Sequence, residues 1–376
     1  MKMTEKTYSR PTIPFPATEY TARLARLRRR LVTEKLDAVL VEDAVNRYYL
    51  TGFEASNGVL CVSAADEPVF LTDFRYLESA RQAIPFARCA RLVAGVSRYE
   101  PLAAQARRQH WRRVGVDGTA GGAPQASRNQ TLPAVTAWTS CQESLNRLRQ
   151  VKSPRELAAL RRAIAMNDRV FATALPQIRP GMTEWAIRVL LRAEMDRVSQ
   201  GESFDTIVAI GTHASHCHHH PSLRPWRRGQ GLLLDMGVKV DGYCADMTRV
   251  VFYGPPSPRL REIYQVVLAA NRRAIAGVRA GLSGDAADRL ARQVIEKAGY
   301  GRYFGHGLGH GLGLQVHDPG SLRPKGEERL AEGMVVTIEP GIYLPGVGGV
   351  RIEDVVVLRR HGCELLTRTP KELLVL

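Results

Sequence analysis

The sequence lacks long apolar runs and closely spaced cysteines. No apolar run approaches the ~18 residues that a membrane-spanning helix needs, and the first twenty residues contain no apolar core typical of a signal peptide. The six cysteines include no C-x-x-C pair, which favours free thiols in a reducing compartment over a disulfide framework. We therefore expect a cytoplasmic protein that does not bind membranes.

The chain is also poor in lysine, which accounts for only 8 of its 53 basic residues. Its net charge of +16 raises the question of nucleic-acid binding. However, residues 1–150 carry 22 basic and 14 acidic residues and the remainder carries 31 and 23, so each part has a charge of +8. No basic block is interleaved with aromatic residues as a stacking platform would be. The charge pattern therefore predicts no nucleic-acid partner.

Length and patterning predict two domains in an α/β protein. Apolar strand-like runs alternate with helical patterns in residues 1–150, which predicts a small α/β domain that includes a linker. Its first helix is predicted at 18–35, with Thr18 as a possible cap. Ser153 to Glu156 forms a capping box with proline at the first helical position, which marks the start of a second domain, 151–376.

The second domain contains an internal repeat. Ser153-Pro-Arg recurs as Ser257-Pro-Arg, and Asn167 recurs as Asn271, both at an offset of 104 residues. Several further matches follow in the same order, which predicts a duplicated α+β domain whose halves are related by a pseudo-two-fold axis. A site on that axis would receive acidic strands from both halves.

Each half carries a pair of acidic residues on neighbouring strands. Asp241-Gly242 predicts a hairpin turn that makes Asp235 and Asp246 diagonal neighbours on one face. Taken alone, an aspartate after an apolar run is more often a capped turn than a ligand. The second half repeats the arrangement with Glu339 and Glu353, and four converging carboxylates favour divalent metal ions.

A glycine-rich segment, FGHGLGHGLGLQVHD, lies between the two acidic hairpins. Its alternating glycines make a regular helix unfavourable, so His306 and His310 do not form a helical zinc motif. Three histidines, of which His317 is the third, in a segment where backbone and ligand can approach closely indicate a site. A second cluster, HCHHHP at 216–221, allows two readings: a loop with incidental metal affinity, or a rim of the site that includes His218.

The motifs LLLDMG, ADMTR, FGHGLGHGLGLQVHD, VTIEPGIY and GGVRIEDVV follow one another along the second domain. With FDTIVAIG, NRYYLTGF and LTDFRY, they resemble the creatinase/aminopeptidase P family (M24) of metallopeptidases, which has the pita-bread fold. The resemblance covers nearly the whole chain. Within the family, the chain is similar to Xaa-Pro dipeptidases (prolidases) and Xaa-Pro aminopeptidases. It implies an enzyme that acts on proline-containing dipeptides or short peptides.

The resemblance also implies a centre of two divalent ions, either manganese, cobalt or zinc. Asp246 and Glu353 would each bind both ions. The implied ligands are Asp235, Asp246, His310, Glu339 and Glu353. His218 and His306 would line the substrate pocket, His317 would support the tetrahedral intermediate, and Arg351 would orient Glu353 or its neighbours.

This ligand set predicts hydrolysis by a bridging hydroxide. Two ions ~3.5–4 Å apart share a water, lower its pKa toward ~7 and so supply hydroxide at neutral pH. Glu339 would accept the proton and pass it to the leaving amine. The alternatives are a metal-independent amidinohydrolase of the creatinase type and a non-catalytic binding protein, and the complete ligand set argues against both.

Three further features concern specificity. Cys217 stands where the family commonly has proline, and Gln315 stands where an acidic residue is common, so the residue preference stays open. The resemblance implies a homodimer in which the amino-terminal domain helps to wall the pocket. Arg75, in the segment Asp73-Phe-Arg75-Tyr76 that directly follows an apolar strand, is then a candidate to meet a substrate carboxylate, although a surface or packing role is equally consistent with the sequence.

Overall fold

The computed structural model describes residues 13–118 and 123–376. The described residues up to Arg149 form one compact unit, and Gln150–Leu376 form a second. None of the described helices is long and apolar enough to cross a membrane.

The amino-terminal unit is built on one mixed sheet with strand order β4-β3-β2-β1-β5-β6. The strands β1 and β5, β5 and β6, and β3 and β4 run parallel, whereas β1–β2 and β2–β3 are antiparallel. The strands are β1 (Ala38–Val41), β2 (Val59–Ser63), β3 (Val69–Thr72), β4 (Arg88–Arg91), β5 (Arg113–Val116) and β6 (Ala137–Ser140). The helices are α1 (Ala17–Thr33), α2 (Ala44–Thr51), α3 (Phe74–Ala83), α4 (Glu100–Arg108), α5 (Ala123–Thr131) and α6 (Gln142–Gln150).

The cap predicted for the first helix is wrong. Pro16 occupies the N-cap position of α1 and Thr18 lies inside the first turn. Proline fixes the backbone angle φ at a value that suits a helix start, so α1 begins at Ala17, directly after Pro16, without a side-chain cap.

The second unit combines four long helices with two larger sheets and two short hairpins among its described residues. The helices are α7 (Pro154–Ala174), α8 (Glu184–Val198), α9 (Pro258–Gly277) and α10 (Gly284–Lys297). The first-half strands are β7 (Ile207–Ile210), β8 (Gly231–Met236), β9 (Lys239–Val240), β10 (Tyr243–Cys244) and β11 (Met247–Phe252). The remaining strands are β12 (Gly309–Gly311), β13 (Asp318–Leu322), β14 (Val335–Ile338), β15 (Gly341–Leu344), β16 (Gly348–Arg351), β17 (Asp354–Arg359), β18 (Gly362–Leu365) and β19 (Leu374–Val375).

The two larger sheets have strand orders β19-β11-β8-β7 and β13-β12-β14-β17-β18. In the first, β8 pairs antiparallel with β11, and in the second, β14 pairs antiparallel with β17. The hairpins β9–β10 and β15–β16 follow β8 and β14 respectively. The two halves therefore repeat the same order of helices, paired strands and hairpin, as the sequence repeat predicts.

Equivalent residues of the repeat make equivalent contacts. The side chain of Ser153 accepts a hydrogen bond from the backbone at the start of α7 in a full capping box, and the side chain of Ser257 likewise accepts one from the Leu260 N–H at the start of α9. Buried Asn167 donates its side-chain amide to the Met236 carbonyl, and buried Asn271 donates to the Ile338 carbonyl. Each asparagine thereby anchors the end of the strand at which the first acidic residue of its half lies.

Candidate metal centre

A cavity of about 930 Å³ lies within the second unit, between its two halves. All nine residues predicted as metal ligands or catalytic residues line it. They are Asp235, Asp246, His310, Glu339, Glu353, His218, His306, His317 and Arg351. The structure therefore brings the predicted ligands and the predicted pocket residues to one place, while their individual roles stay predictions.

The first-half carboxylates are placed by the register of β8 and β11. Asp235 pairs with Thr248, and Asp246 stands two residues before Thr248. The turn at Asp241-Gly242 is a hairpin in which Val240 pairs with Tyr243, so one register runs through the whole segment. Because side chains alternate across a strand, both aspartates project from the same face as the sequence predicts.

The second-half carboxylates flank the pair of β14 and β17. Glu339 directly follows β14 and Glu353 directly precedes β17, and the neighbouring residues Ile338 and Asp354 are partners in the sheet. Glu353 is 2% exposed. This arrangement is equivalent to that of the two aspartates, so each half of the repeat contributes two carboxylates to the cavity.

His310 lies on β12, with one ring nitrogen directed toward the carboxylates. Its Nδ1 is 3.0 Å from the Gly311 carbonyl oxygen, which leaves Nε2 at 3.2 Å from Glu339 Oε1 and 3.8 Å from Asp246 Oδ2. A carbonyl that accepts from Nδ1–H fixes the tautomer whose Nε2 lone pair can bind a metal. Glycine is required beside it, since a Cβ at Gly309 would lie 2.0 Å from the Thr337 carbonyl oxygen.

The crowding of buried carboxylates shifts their pKa values. Burial, followed by the charge of Glu353, raises the pKa of Asp246 well above its usual value, and burial, followed by the charge of Glu339, does the same for Glu353. Burial also raises the pKa of Asp235. Anions at this spacing repel one another unless a cation lies between them, so the site is built for positive charge.

Glu339 and His310 form the shorter of the two described ion pairs between His310 and the predicted carboxylate ligands, at 3.2 Å against 3.8 Å for Asp246. Although burial opposes ionisation of Glu339, its hydrogen bond with His310 holds the pKa of the carboxyl below the usual value. Burial likewise opposes the charged form of His310, but the bond to Glu339 raises the pKa of the imidazole to about 9. Without a metal, a proton on His310 therefore supplies part of the missing positive charge.

Unpartnered oxygen atoms show that the residues fit a metal. Asp235 Oδ1 and Glu353 Oε1 are buried and have no hydrogen-bond partner among the residues that the structure describes. Ligand atoms of Asp246, His310 and Glu353 all lie within 4.8 Å of one another. Leaving such oxygens bare costs free energy, and a set of carboxylates with one imidazole suits divalent ions such as manganese, cobalt or zinc.

Arg351 connects Asp235 to the rest of the site. Its Nη2 donates to Asp235 Oδ2 at 2.6 Å, its Nη1 donates to the Tyr343 hydroxyl at 3.0 Å, and its Nε donates to Thr248 Oγ1 at 2.8 Å. Thr248 in turn donates to Glu353 at 2.7 Å. Arg351 thus contacts one predicted ligand directly and a second through one hydroxyl group.

The three remaining histidines occupy different parts of the cavity wall. His306 Nε2 is 2.9 Å from the Tyr343 hydroxyl, and burial lowers the pKa of the His306 ring. His317 is exposed, and its ring stands edge-on to that of His310 at 4.2 Å between centroids. His218 is exposed on the loop after β7. Cys217 also lines the cavity, whereas Gln315 does not.

Sequence reasoning missed Tyr343, Thr248 and Thr337. Thr337 accepts from the backbone N–H of His310 and donates to Glu339 at 3.1 Å, so it fixes two predicted ligands at once. Strand alternation could have indicated it, because residues 337 and 339 share one face. Tyr343 carries no comparable signal, since its contacts with His306 and Arg351 arise from the folding back of β15 onto the site.

Residues 158–360 match the Metallopeptidase family M24, and residues 23–151 match the Creatinase/Prolidase N-terminal domain. The chain belongs to the M24 metallopeptidase family. It is 36% identical over 355 residues to the uncharacterized peptidase YqhT of Bacillus subtilis (strain 168), covering 94% of this chain and 100% of that protein.

Solved structures resemble nearly the whole chain. A structure of an Xaa-Pro dipeptidase from Bacillus anthracis has a TM-score of 0.89 and 34% identity, covering 95% of this chain and 100% of that one. The prolidase from Pyrococcus horikoshii OT3 has a TM-score of 0.87 and 26% identity, covering 94% and 100%. These likenesses confirm the pita-bread fold and the enzyme class predicted from the motifs, and the M24 family uses divalent metals.

Proposed function

We propose that this metallopeptidase hydrolyses the Xaa-Pro bond of dipeptides or short peptides at a centre of two divalent ions. The observation that carries the proposal is the convergence of three buried carboxylates, the partly buried carboxylate of Glu339 and one imidazole, with two carboxylate oxygens left unpartnered among the described residues. The Xaa-Pro dipeptidase and prolidase among the similar structures support the substrate class. We propose Asp235, Asp246, His310, Glu339 and Glu353 as the ligands.

The geometry supports a division of labour among the side chains around these ions. Bound divalent ions would supply Lewis acidity and lower the pKa of a water molecule. Glu339 is suited to accept a proton, because its lowered pKa keeps the carboxylate ionised at neutral pH. From there, it can deliver that proton to the nitrogen of the leaving proline.

The cavity histidines are suited to orient the peptide. Burial lowers the pKa of His306, and partial desolvation of the His317 ring, followed by the charge of His310, lowers that of His317, which favours neutral rings that act through hydrogen bonds rather than charge. We propose that His317 donates to the oxygen of the scissile carbonyl, and that His218 and His306 contact the peptide on either side of it. Arg351 holds Asp235 in place by its bond of 2.6 Å.

A comparison of matched substrates tests this function. The purified protein, loaded with Mn²⁺, is given Ala-Pro, Ala-Ala and Ala-Pro-Ala, and the released amino acids are quantified. We expect cleavage of the bond before proline and little cleavage of Ala-Ala. Equal rates on Ala-Pro and Ala-Ala would refute the proposed specificity, and the ratio of Ala-Pro to Ala-Pro-Ala distinguishes a dipeptidase from an aminopeptidase.

A further inference from the structure

We propose that Glu184, His213 and His219 form a separate Zn²⁺ site beside the cavity. Within the described part of the chain, they are one of two groups of three whose ligand atoms all lie within 4.8 Å of one another. The other group belongs to the candidate metal centre described above. The proposal does not depend on the peptidase function, since none of these three residues is among the proposed ligands of that centre.

One carboxylate faces both imidazole rings. His213 Nδ1 lies 2.8 Å from Glu184 Oε1, and His219 Nε2 lies 2.9 Å from Glu184 Oε2. The ring centroids of the two histidines are 4.4 Å apart with a tilt of 41°. A ring nitrogen binds a metal ion through its lone pair, so an ion between the three groups would select the tautomer that carries its hydrogen on His213 Nε2 and on His219 Nδ1.

Glu184 is held ready for such an ion by the surrounding backbone. It begins α8, its side chain is fully buried, and it accepts hydrogen bonds from the backbone N–H groups of Ile210 at 2.7 Å and Ser222 at 2.9 Å. The Ser222 hydroxyl also donates to it, at 2.5 Å. Although burial opposes ionisation, hydrogen bonds from Ser222 and His219 lower the pKa of Glu184 to about 2. The carboxylate is therefore charged and fixed at neutral pH.

The donor set favours zinc over harder cations. Two imidazoles and one carboxylate make a three-residue set of the kind that binds Zn²⁺ with a fourth position open to water. Magnesium and calcium prefer sites made of oxygen atoms alone. The side chain of His213 is 28% exposed and that of His219 is 12% exposed, so an ion can enter from solvent.

Occupation of this site has a consequence for the cavity. The segment between the two histidines contains Cys217 and His218, and both residues line the cavity wall. His216, in the same segment, has its ring 6.4 Å from that of His219 and could approach an ion there. A zinc ion bound by His213 and His219 fixes both ends of this wall segment to the start of α8.

The experiment counts zinc in matched variants. His213→Asn removes one ligand while its amide can still donate to Glu184, and His220→Asn alters an exposed histidine of the same loop that lies outside the group. Each protein is saturated with Zn²⁺, passed through a desalting column and analysed by plasma mass spectrometry. We expect wild type and His220→Asn to retain one zinc per chain more than His213→Asn, whose affinity for that ion falls by at least about 100-fold.

Equal zinc in wild type and His213→Asn would overturn the proposal, and so would an equal loss in both variants, which indicates non-specific binding to the histidine cluster. If His213→Asn does not fold, as judged by circular dichroism, anomalous diffraction at the zinc edge from wild-type crystals decides. A peak among Glu184, His213 and His219 supports the site, and its absence at saturating zinc refutes it. Failure of the proposed function would show as absent peptidase activity, which does not alter this count.

Discussion

At the scale of single residues, the side chains of the site are of two kinds: Arg351 has several hydrogen-bond partners, whereas others, such as His317, are exposed to solvent. Arg351 contacts Asp235, Thr248 and Tyr343, so its replacement would disturb several parts of the site together. His317, in contrast, is exposed and meets the site mainly through the ring of His310. Residues of the second kind give clearer tests, because their loss leaves the surrounding structure in place.

His317→Ala tests the proposed contact with the scissile carbonyl. We expect kcat to fall by ~10²–10³, the effect of losing one donor to a developing oxyanion, while the metal content is unchanged. The measurements are steady-state kinetics on Ala-Pro and metal analysis of the same sample. His361→Ala, which alters an exposed histidine on the turn before β18, is the control and should retain wild-type kcat. A fall in metal content with His317→Ala would show that the division between His310 and His317 is wrong.

The pH dependence of metal binding follows from the shifted pKa values. In the metal-free protein, burial and neighbouring charge raise the pKa of Asp246 and Glu353, and that of His310 is raised to about 9, so all three retain protons above their usual pH range. Metal must displace these protons. Affinity should therefore rise as pH rises from 6 to 8, by about tenfold per unit for each proton released.

Calorimetric titration with Mn²⁺ in two buffers of different ionisation enthalpy measures the proton release directly. The same raised carboxyl pKa values also affect stability. In the metal-free protein, these raised carboxyl pKa values stabilise the folded state at pH values below ~4, the usual carboxyl pKa in an unfolded chain. This stabilisation is lost as the pH rises through the higher carboxyl pKa values of the folded state. A metal affinity that is constant between pH 6 and 8 would contradict the account of the site.

At the scale of elements, helices α8 and α10 each hold a loop of the cavity wall. Asp288 on α10 accepts from the backbone N–H of Leu308 at 2.9 Å. Arg292 pairs with Asp288 and donates to the carbonyls of Phe304 at 2.9 Å and His306 at 2.7 Å. Glu184 on α8 holds the other wall loop in the corresponding way. The repeat thus supplies one acidic anchor per half as well as two ligands.

Arg292→Ala tests the anchor of the His306 loop. It leaves Asp288, whose side chain is 1% exposed, without its charged partner, and breaking a buried pair in this way costs ~3–5 kcal/mol of unfolding free energy. Arg289→Ala on the same helix is the matched control. Its pair with Asp285 is exposed, with side chains 64% and 29% accessible, and such pairs contribute ~0–1 kcal/mol. Urea denaturation of the metal-loaded proteins measures both, and equal losses would contradict the anchoring role.

Local patterns predicted the elements and register that place the site, because their causes lie within a few residues. The Ser153 capping box, the turn at Asp241-Gly242 and the alternation along the strands each depend on neighbours in sequence. The contacts of Tyr343 with His306 and of Glu184 with Ile210 could not be predicted, since each joins segments more than twenty residues apart whose meeting depends on the tertiary fold. The Thr18 cap failed for a local reason, because Pro16 competes for the helix start.

At the scale of the whole molecule, we expect a homodimer in which the amino-terminal domain helps to wall the pocket. Arg75, the residue proposed to reach a substrate carboxylate, is exposed and pairs with Asp73 at 2.8 Å. We expect Arg75→Ala to raise KM for Ala-Pro several-fold more than for Ala-Pro-Ala, because the dipeptide's carboxylate lies nearer the proposed wall. Arg81→Ala, on the same helix, is the control.

Sedimentation velocity of wild type measures the assembly. A fully active monomer would rule out a pocket shared between two chains. Equal effects of Arg75→Ala on both substrates would remove Arg75 from the pocket and leave the dimer standing.

The central claim is that catalysis needs divalent ions held by the converging carboxylates. Metal-free wild type and Glu353→Gln are titrated with Mn²⁺ while the release of proline from Ala-Pro is followed. The account predicts that wild-type activity rises from near zero to a plateau at two ions per chain, and that Glu353→Gln stays at least ~10³-fold less active at every Mn²⁺ concentration while folded by circular dichroism. Full activity of the chelator-treated protein, or wild-type turnover by Glu353→Gln, would contradict it.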